Sequence, residues 1–262
     1  EFPNLAVFAF ERISLEISIF GMYEKYALIN LKKLIFDKLD LRDTYCLDIG
    51  ANIGNHSVFF SKYFKQIYSF EPHPLTYDLL KFNAKNLNIV TFDYGLSDQN
   101  STVSIATQQK TSLGSSQIIE DKKTYNGGYY IYKTIIKRLD EQDFIKKLDK
   151  KISFIKIDIE NYELKALKGM SKVLDLHSPI ICMEQSCEEF NQDNKGNIST
   201  PSIDYLKNKS YSFFYEMETY KNWKIKSFNQ LNKYRFIEIV YKFFCLLLYG
   251  VPQEKTCLKL IK

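Results

Sequence analysis

Residues 48–54 read Asp-Ile-Gly-Ala-Asn-Ile-Gly and separate an apolar run from an amphipathic one, a pattern typical of a turn that brings backbone close to a ligand. In the dinucleotide-binding turn, a second glycine two places after the first lets the backbone approach a pyrophosphate. Here Asn52 occupies that place and adds bulk, and Asp48 adds a negative charge. The turn therefore disfavours a diphosphate and favours a ligand that carries an ammonium or a sulfonium group.

Glu71 ends the next strand-like run, where a carboxylate typically accepts hydrogen bonds from the hydroxyls of a ribose. A nucleoside with a cationic tail and no phosphate is S-adenosylmethionine, with its methionine part at the glycine turn and its ribose at Glu71. Asp93 ends a third strand-like run and is the candidate for contact with the adenine edge. The predicted cofactor-binding residues are Asp48, Gly50, Ala51, Asn52, Gly54, Glu71, Pro72 and Asp93.

Asp158 and Glu160 follow a fourth strand-like run. An alcohol that receives a methyl group gives up its proton reluctantly, so it needs a base or a metal ion that acidifies it. Two carboxylates at positions i and i+2 of an extended segment point the same way, so one could act as the base or both could bind a divalent cation. Asp158 and Glu160 are therefore the predicted catalytic residues and the predicted ligands of any metal. Glu163 is assigned to the first turn of a helix, where an acid offsets the helix dipole.

Three further side chains are candidates with open roles. His56 starts the helix after the glycine turn and is either a second candidate base or a structural residue of the helix start. His73 lies between two prolines and is expected in a loop near the ribose. Glu184 ends a fifth strand-like run at the same rim and is a candidate for binding acceptor hydroxyls.

The elements that must position these residues follow from the apolar periodicity of the chain. Alternating strand-like and helix-like runs predict βαβ units, and therefore an α/β, Rossmann-like fold with a mostly parallel sheet flanked by helices. The segment 98–128 is rich in small polar residues and is predicted as a hairpin and loops. Short apolar runs predict strands at 44–50, 66–72, 88–93, 151–158, 178–185 and 211–217, and amphipathic runs predict helices at 55–64, 74–87, 137–150 and 160–176.

The predicted organisation has three parts. Residues 1–43 form an N-terminal helical segment, 44–220 the main domain, and 221–262 a C-terminal extension that packs on the domain. Residues 236–251 are apolar but interrupted by charges, and they are fewer than the ~20 apolar residues that a spanning helix needs. We expect them to form a helix packed on the domain, with a helix lying on a membrane surface as the alternative.

The composition is that of a globular protein with a mild excess of positive charge. Hydrophobic residues make up 45% of the 262, and the formal net charge is +5 without a block of consecutive basic residues. The five cysteines lack metal-ligand spacing and there are three histidines, which argues against a zinc site. The expected location is the cytoplasm, with peripheral contact at the inner membrane as the alternative.

These motifs together resemble the FkbM family of S-adenosylmethionine-dependent methyltransferases, over roughly residues 44–185. The resemblance is carried by DIGANIGNHSVFF (48–60), SFEPHP (69–74), GLSD (95–98), TSLGSS (111–116), RLDE (138–141), FIKIDIENYELKALKG (154–169) and IICMEQ (180–185), with GMYEKYAL (21–28) upstream. It implies a class I methyltransferase fold and O-methylation, often of sugar hydroxyls in surface glycans or natural products. The family motif Asp-x-Glu-Gly-x-Glu departs here at Asn161, the next most tolerant residue type for left-handed geometry.

The leading hypothesis is an O-methyltransferase that acts on a sugar hydroxyl of a surface glycan or its precursor. The alternatives are an RNA or protein methyltransferase, and a degenerate methyltransferase-like binding module. The mild charge and the lack of an interleaved arginine and aromatic stripe argue against RNA. The expected partners are a glycan or small-molecule acceptor and no nucleic acid, with a divalent metal as an open addition to S-adenosylmethionine.

Overall fold

The chain alternates strands and helices, as the periodicity predicts. The structure, a computed structural model, describes residues 4–107, 113, 116–119, 129–184, 191–192, 198–211, 213–217, 237–240 and 259–261. The helices are α1 (Arg12–Phe20), α2 (Lys25–Leu31), α3 (Asn55–Phe60), α4 (Pro74–Asn83), α5 (Asp143–Lys146), α6 (Glu163–Gly169), α7 (Ser171–His177) and α8 (Pro201–Asn208). A π-helical turn (Lys32–Phe36) continues α2, and a 3-10 turn (Leu139–Glu141) precedes α5.

The strands belong to one large sheet and two smaller ones. They are β1 (Tyr45–Ile49), β2 (Gln66–Phe70), β3 (Ile89–Phe92), β4 (Tyr94–Leu96), β5 (Ser101–Thr107), β6 (Gln117–Ile119), β7 (Tyr130–Lys137), β8 (Ile152–Ile157), β9 (Ile180–Glu184), β10 (Asn191–Gln192), β11 (Ile198–Ser199), β12 (Phe213–Met217), β13 (Ile237–Val240) and β14 (Lys259–Ile261). The large sheet has the order β14-β12-β13-β9-β8-β1-β2-β3, and β10 pairs with β11. The third sheet has the order β4-β7-β5-β6.

The large sheet is Rossmann-like, and its switch point lies at β1. Strand β1 pairs in parallel with β2 on one side and with β8 on the other, so successive strands are added first in one direction and then in the opposite one. In such a sheet the ligand binds beyond the carboxyl ends of the strands at the switch point. The predicted α/β fold with a mostly parallel sheet flanked by helices is therefore confirmed.

The N-terminal segment is packed on this sheet through aromatic rings. The side chain of Phe36, at the end of the π-helical turn, is 5.7 Å from the ring of Phe60 and 5.3 Å from the rings of Phe64 and Phe154. Edge-to-face pairs of this kind add to the stability that the burial of the rings gives. The predicted N-terminal helices thus form part of the same hydrophobic core.

The additional four-stranded sheet is formed by β4, β5, β6 and β7, which follow β3 in the chain. The antiparallel pairing of β5 with β6 confirms the hairpin predicted within 98–128, while most of 108–128 lies outside the described residues. Strand β7, which pairs with both β4 and β5, was not predicted. Its inward side chains Thr134 and Ile136 alternate with exposed ones, which is the pattern of a strand with one wet face.

Several predicted boundaries differ from the structure. The helix expected at 160–176 is divided into α6 and α7 at Met170, and the helix expected at 137–150 is limited to α5 and the 3-10 turn. The helix expected at 236–251 is wrong at 237–240, where the β-branched residues of β13 pair with β9. Among the described residues, no helix combines the length and apolarity needed to cross a membrane. The limits of the three predicted parts stay a prediction.

Candidate active site

An open cavity lies at the carboxyl ends of β1, β2 and β8. It encloses about 1230 Å³, the solvent at its mouth included. Its lining combines the glycine turn, the ends of the three strands, the N-terminal segment and the added sheet. Among the lining residues are Glu11, Arg12, Tyr23, Gly50, Ala51, Asn52, Asn55, His56, Glu71, Pro72, His73, Leu96, Ile105, Leu113, Ser116, Ile118, Lys156, Asp158, Glu160 and Tyr162. The structure therefore brings together most of the predicted site residues.

The glycine turn is held against the ends of β2 and β8. The backbone N–H groups of Gly50 and Ala51 both donate to the carbonyl of Phe70, at 3.0 Å. Gly50 has a φ of +76°, and a Cβ there would lie 1.9 Å from the carbonyl oxygen of Asp158. A side chain at this position is excluded by backbone, so glycine is required for the turn to lie beside β8.

Glu71 is hydrogen-bonded to the backbone on both sides, to the glycine turn through one carboxylate oxygen and to His73 through the other. Oε2 accepts a hydrogen bond of 2.8 Å from the backbone N–H of Asn52, and Oε1 accepts one of 2.8 Å from the backbone N–H of His73. Burial raises the pKa of the Glu71 carboxyl above its ordinary value, against the lowering effects of hydrogen bonding by His73, Thr76 and Asn52 and of the Lys156 charge. Each carboxylate oxygen has further lone-pair capacity, so Glu71 can still accept from two ligand hydroxyls.

Asp48 lies beneath the turn and does not line the cavity. Its side chain has no exposed surface, and its Oδ2 accepts a hydrogen bond of 2.5 Å from Ser57. Its Oδ1 is 3.3 Å from the ammonium of Lys156, which also donates to the carbonyl of Gly50 at 2.7 Å. The Asp48 carboxylate therefore supports the turn through Lys156, and direct contact with a cofactor stays a prediction.

Lys156 is a site residue that the sequence reasoning missed. It is buried in β8 and its ammonium is also 3.7 Å from Oδ2 of Asp158. A single lysine inside the apolar run Ile-Ser-Phe-Ile-Lys-Ile is the signal that was available, because lysine is rarely buried unless paired.

Three carboxylates meet near the end of β8, and two of them, Asp158 and Glu160, line the cavity. Oxygens of Asp158, Glu160 and Glu184 all lie within 4.8 Å of one another. The extended geometry assumed for Asp158 and Glu160 is wrong, because Glu160 has a φ of +50°. The chain turns instead, and both carboxylates still reach the cavity. Oxygen ligands of this type suit a hard divalent cation, and metal binding by this group stays a prediction.

The N-terminal segment packs against the start of α3, where His56 lines the cavity. Nε2 of His56 lies 3.2 Å from Oε2 of Glu24, and both side chains are largely buried. Next to them, Asn55 accepts from the backbone N–H of Tyr23 at 3.1 Å and donates to its carbonyl at 3.0 Å. Glu24 and Tyr23 were not predicted as site residues, although both belong to the GMYEKYAL stretch.

Other predicted residues lie outside the lining of the cavity. Asp93 is exposed after β3, and its contact with adenine stays a prediction. Gly54 has a φ of +89° at the start of α3, and a Cβ there would lie 2.8 Å from Cδ1 of Leu80, so this glycine allows α3 and α4 to pack closely.

The sequence profile of the methyltransferase FkbM domain matches residues 48–220. The chain belongs to the FkbM methyltransferase family. The FkbM chain is 26% identical over 135 residues to the hexuronic acid methyltransferase AglP of Haloferax volcanii, a match that covers 50% of the chain and 52% of AglP. The chain thus spans about half the length of that relative.

Two further relatives of this FkbM chain are more distant or less complete. Methyltransferase 1 of Beauveria bassiana is 24% identical over 178 residues, covering 60% of the chain and 68% of the relative. The crystal structure of an FkbM methyltransferase from Methylobacillus flagellatus is 17% identical with a TM-score of 0.35, covering 67% of this chain and 44% of that one.

The departure of this FkbM chain from the family motif is accommodated by the backbone. Asn161, in the place of the motif glycine, has a φ of +71° directly after the left-handed Glu160. Asparagine thus adopts the left-handed geometry that it tolerates best after glycine. The side chain of Asn161 is exposed to solvent and is not among the residues that line the cavity.

Proposed function

We propose that this chain is an S-adenosylmethionine-dependent O-methyltransferase that acts on a hydroxyl of a sugar. The observation that carries the proposal is that the acids around the cavity form two separate groups. Glu71 is held by backbone N–H groups beside the glycine turn, and the carboxylates of Asp158, Glu160 and Glu184 gather at the end of β8.

The residues around Glu71 fit a nucleoside cofactor that has no phosphate. The two oxygens of Glu71 can accept from the two hydroxyls of a ribose, as in other nucleoside sites at the end of a second strand. The ammonium of Lys156 is committed to Gly50, Asp48 and Asp158, whereas acids line the cavity. This arrangement supports a cationic ligand over a diphosphate. When bound, S-adenosylmethionine supplies a methyl group already activated for displacement.

The acid group supplies what an alcohol acceptor needs. A carboxylate oxygen of Asp158 or Glu160 can take the proton of the acceptor hydroxyl, and the neighbouring acids can accept from other hydroxyls of the same sugar. The group also repels a phosphate backbone, which disfavours a nucleic acid. The name of the AglP relative, a hexuronic acid methyltransferase, supports a sugar as the acceptor.

Calorimetry with S-adenosylhomocysteine tests the cofactor. The variant Glu71→Ala loses two hydrogen bonds to a charged group, each worth about 1.5–3 kcal/mol, so we expect affinity to fall by about 10²–10⁴-fold. Asp78→Ala, which removes an exposed acid of α4 paired with Lys81, is the matched control and leaves affinity unchanged. Equal affinity in wild type and Glu71→Ala would remove Glu71 from the site.

Turnover tests the acceptor. Purified protein is incubated with labelled S-adenosylmethionine and, in separate reactions, with uronic-acid oligosaccharides, neutral oligosaccharides, RNA and a protein mixture. We expect transfer to an oligosaccharide, and in Asp158→Asn we expect unchanged cofactor affinity with turnover lower by about 10²–10⁴-fold. Labelling of RNA or protein alone contradicts the sugar assignment, and cofactor binding without any transfer supports a binding module.

A further inference from the structure

The lining of the cavity includes apolar side chains of the added sheet and a buried imidazole. The apolar side chains are Leu96, Ile105, Leu113 and Ile118. The Pro72–His73 segment, which follows Glu71 directly, lines the cavity too. The hydroxyl of Thr134 in β7 donates to the carbonyl of Pro72 at 2.8 Å, so the added sheet and this segment are tied together.

The imidazole of His73 has no hydrogen-bond partner among the described residues. Its side chain is 1% exposed, and neither Nδ1 nor Nε2 contacts a donor or an acceptor there. The ring is held in place by an edge contact with Tyr132, whose centroid is 4.6 Å away. Its backbone is fixed too, because the N–H donates to Glu71 and the carbonyl accepts from Thr76.

A buried polar group without a partner is costly, and in a ligand cavity it indicates a partner that comes with the ligand. The half-buried His177 shows the ordinary alternative, because its Nδ1 accepts from the backbone N–H of Ile152 at 3.2 Å. Burial lowers the pKa of His73 to about 4, so its ring is neutral near pH 7. A neutral imidazole offers one N–H donor and one nitrogen acceptor, and it matches a neutral heterocycle rather than an ion.

We propose that His73 is the base-recognition residue of the cofactor site, where its imidazole hydrogen-bonds the adenine ring held between the added sheet and Pro72. Adenine has ring nitrogens that accept and an exocyclic amino group that donates, so it complements either tautomer of the imidazole. The apolar side chains of the lining suit the faces of the base. Glu71, the proposed ribose ligand, accepts from the backbone N–H of His73, so the ribose and the base would be bound by neighbouring residues. This inference rests on the proposed function and adds selectivity for the base to it.

The test measures base selectivity and stability together. His73→Phe keeps a ring against Tyr132 but removes both nitrogens, and His177→Phe is the matched control elsewhere in the fold. Calorimetry gives the affinity of each protein for S-adenosylhomocysteine and for its deaminated analogue S-inosylhomocysteine. We expect wild type to prefer the adenine compound by about tenfold or more, and His73→Phe to lose about tenfold in affinity together with that preference.

The melting temperatures of the free proteins separate this role from a structural one. His73→Phe removes two buried atoms without partners, so its melting temperature stays equal or rises. His177→Phe leaves the N–H of Ile152 without its acceptor, so its melting temperature falls while both affinities stay as in wild type. A role in packing alone would give the reverse for His73, with a lower melting temperature and unchanged selectivity.

Wild-type protein provides a second measurement that does not depend on a variant folding. With three histidines in the chain, the ring nitrogens are resolved by ¹⁵N-detected histidine spectra, and those of His73 should shift on addition of S-adenosylhomocysteine. Binding in which the His73 nitrogens do not shift, or in which His73→Phe keeps the wild-type preference, overturns the assignment of His73 alone. Wild type that binds neither compound overturns the proposed cofactor as well.

Discussion

Replacement of Lys156 by methionine removes an ammonium that contacts both Asp48 and the glycine turn. Methionine fills nearly the same volume, so the change isolates the charge and the hydrogen bond of 2.7 Å to the carbonyl of Gly50. Asp48, which has no exposed surface, then keeps the hydrogen bond from Ser57 but loses the ammonium 3.3 Å away. Removal of one partner of a buried ion pair typically costs about 3–5 kcal/mol.

That loss can be measured by thermal and urea unfolding of wild type, Lys156→Met, Asp48→Asn and the double variant. A loss of about 1 kcal/mol lowers the melting temperature of a chain of this size by roughly 2–4 °C, so Lys156→Met should melt about 10 °C lower. Asp48→Asn removes the other charge of the pair. In the double variant neither charge is left unpaired, so we expect it to be more stable than the sum of the two single effects implies, with a coupling of about 2 kcal/mol or more.

A surface pair provides the matched control. Lys81 and Asp78 of α4 are 3.4 Å apart and well exposed, so Lys81→Met should cost less than about 1 kcal/mol. The account of Lys156 is refuted if Lys156→Met costs no more than Lys81→Met. It is also refuted if the effects of Lys156→Met and Asp48→Asn simply add, because the two charges would then be independent.

Two further predictions concern the turn and the motif. Burial raises the folded-state pKa of Glu71 above its ordinary 4.5, so its stabilising contribution is present below that pH and is lost as the pH rises through the folded-state value. Urea unfolding between about pH 5 and 8 should therefore show a smaller decline in stability with rising pH for Glu71→Gln than for wild type, and parallel curves would contradict this. At the exposed Asn161, with its φ of +71°, Asn161→Val should destabilise by at least about 1 kcal/mol while Asn161→Gly stays within about 1 kcal/mol, and equal melting of these two variants would contradict a backbone origin.

The strands and the acids at their ends were predictable because their signals are local. Buried parallel strands are short apolar runs, and Glu71 and Asp158 come directly after two of them. Once the alternation with helices indicates parallel pairing, these side chains must meet at one edge of the sheet. That is why the cavity could be expected at the ends of β1, β2 and β8.

The contacts that complete the site depend on distant parts of the chain. Lys156 reaches Gly50, and Glu24 reaches His56, because of how β8 and α2 pack, which no local pattern specifies. The added sheet was only half predicted for the same reason, since β7 pairs with β5 although β6 lies between them in the sequence. The left-handed backbone at Glu160 could not be predicted either, because glutamate seldom adopts it.

The origin of the preference for a cationic ligand also changes once the structure is considered. From the sequence, the negative charge beside the turn was that of Asp48. In the structure the field of Asp48 is offset by the ammonium of Lys156 at 3.3 Å, and no part of Asp48 reaches the cavity. Glu11, Glu71, Asp158 and Glu160 do line it, together with the cation of Arg12. Charges that face a cavity act on a ligand through less protein than a paired, buried charge, so the lining acids, and not Asp48, must supply most of the attraction for a sulfonium. The same reasoning explains why Lys156 does not convert the site into one for phosphate, because its ammonium is committed to the carbonyl of Gly50 and to two carboxylates.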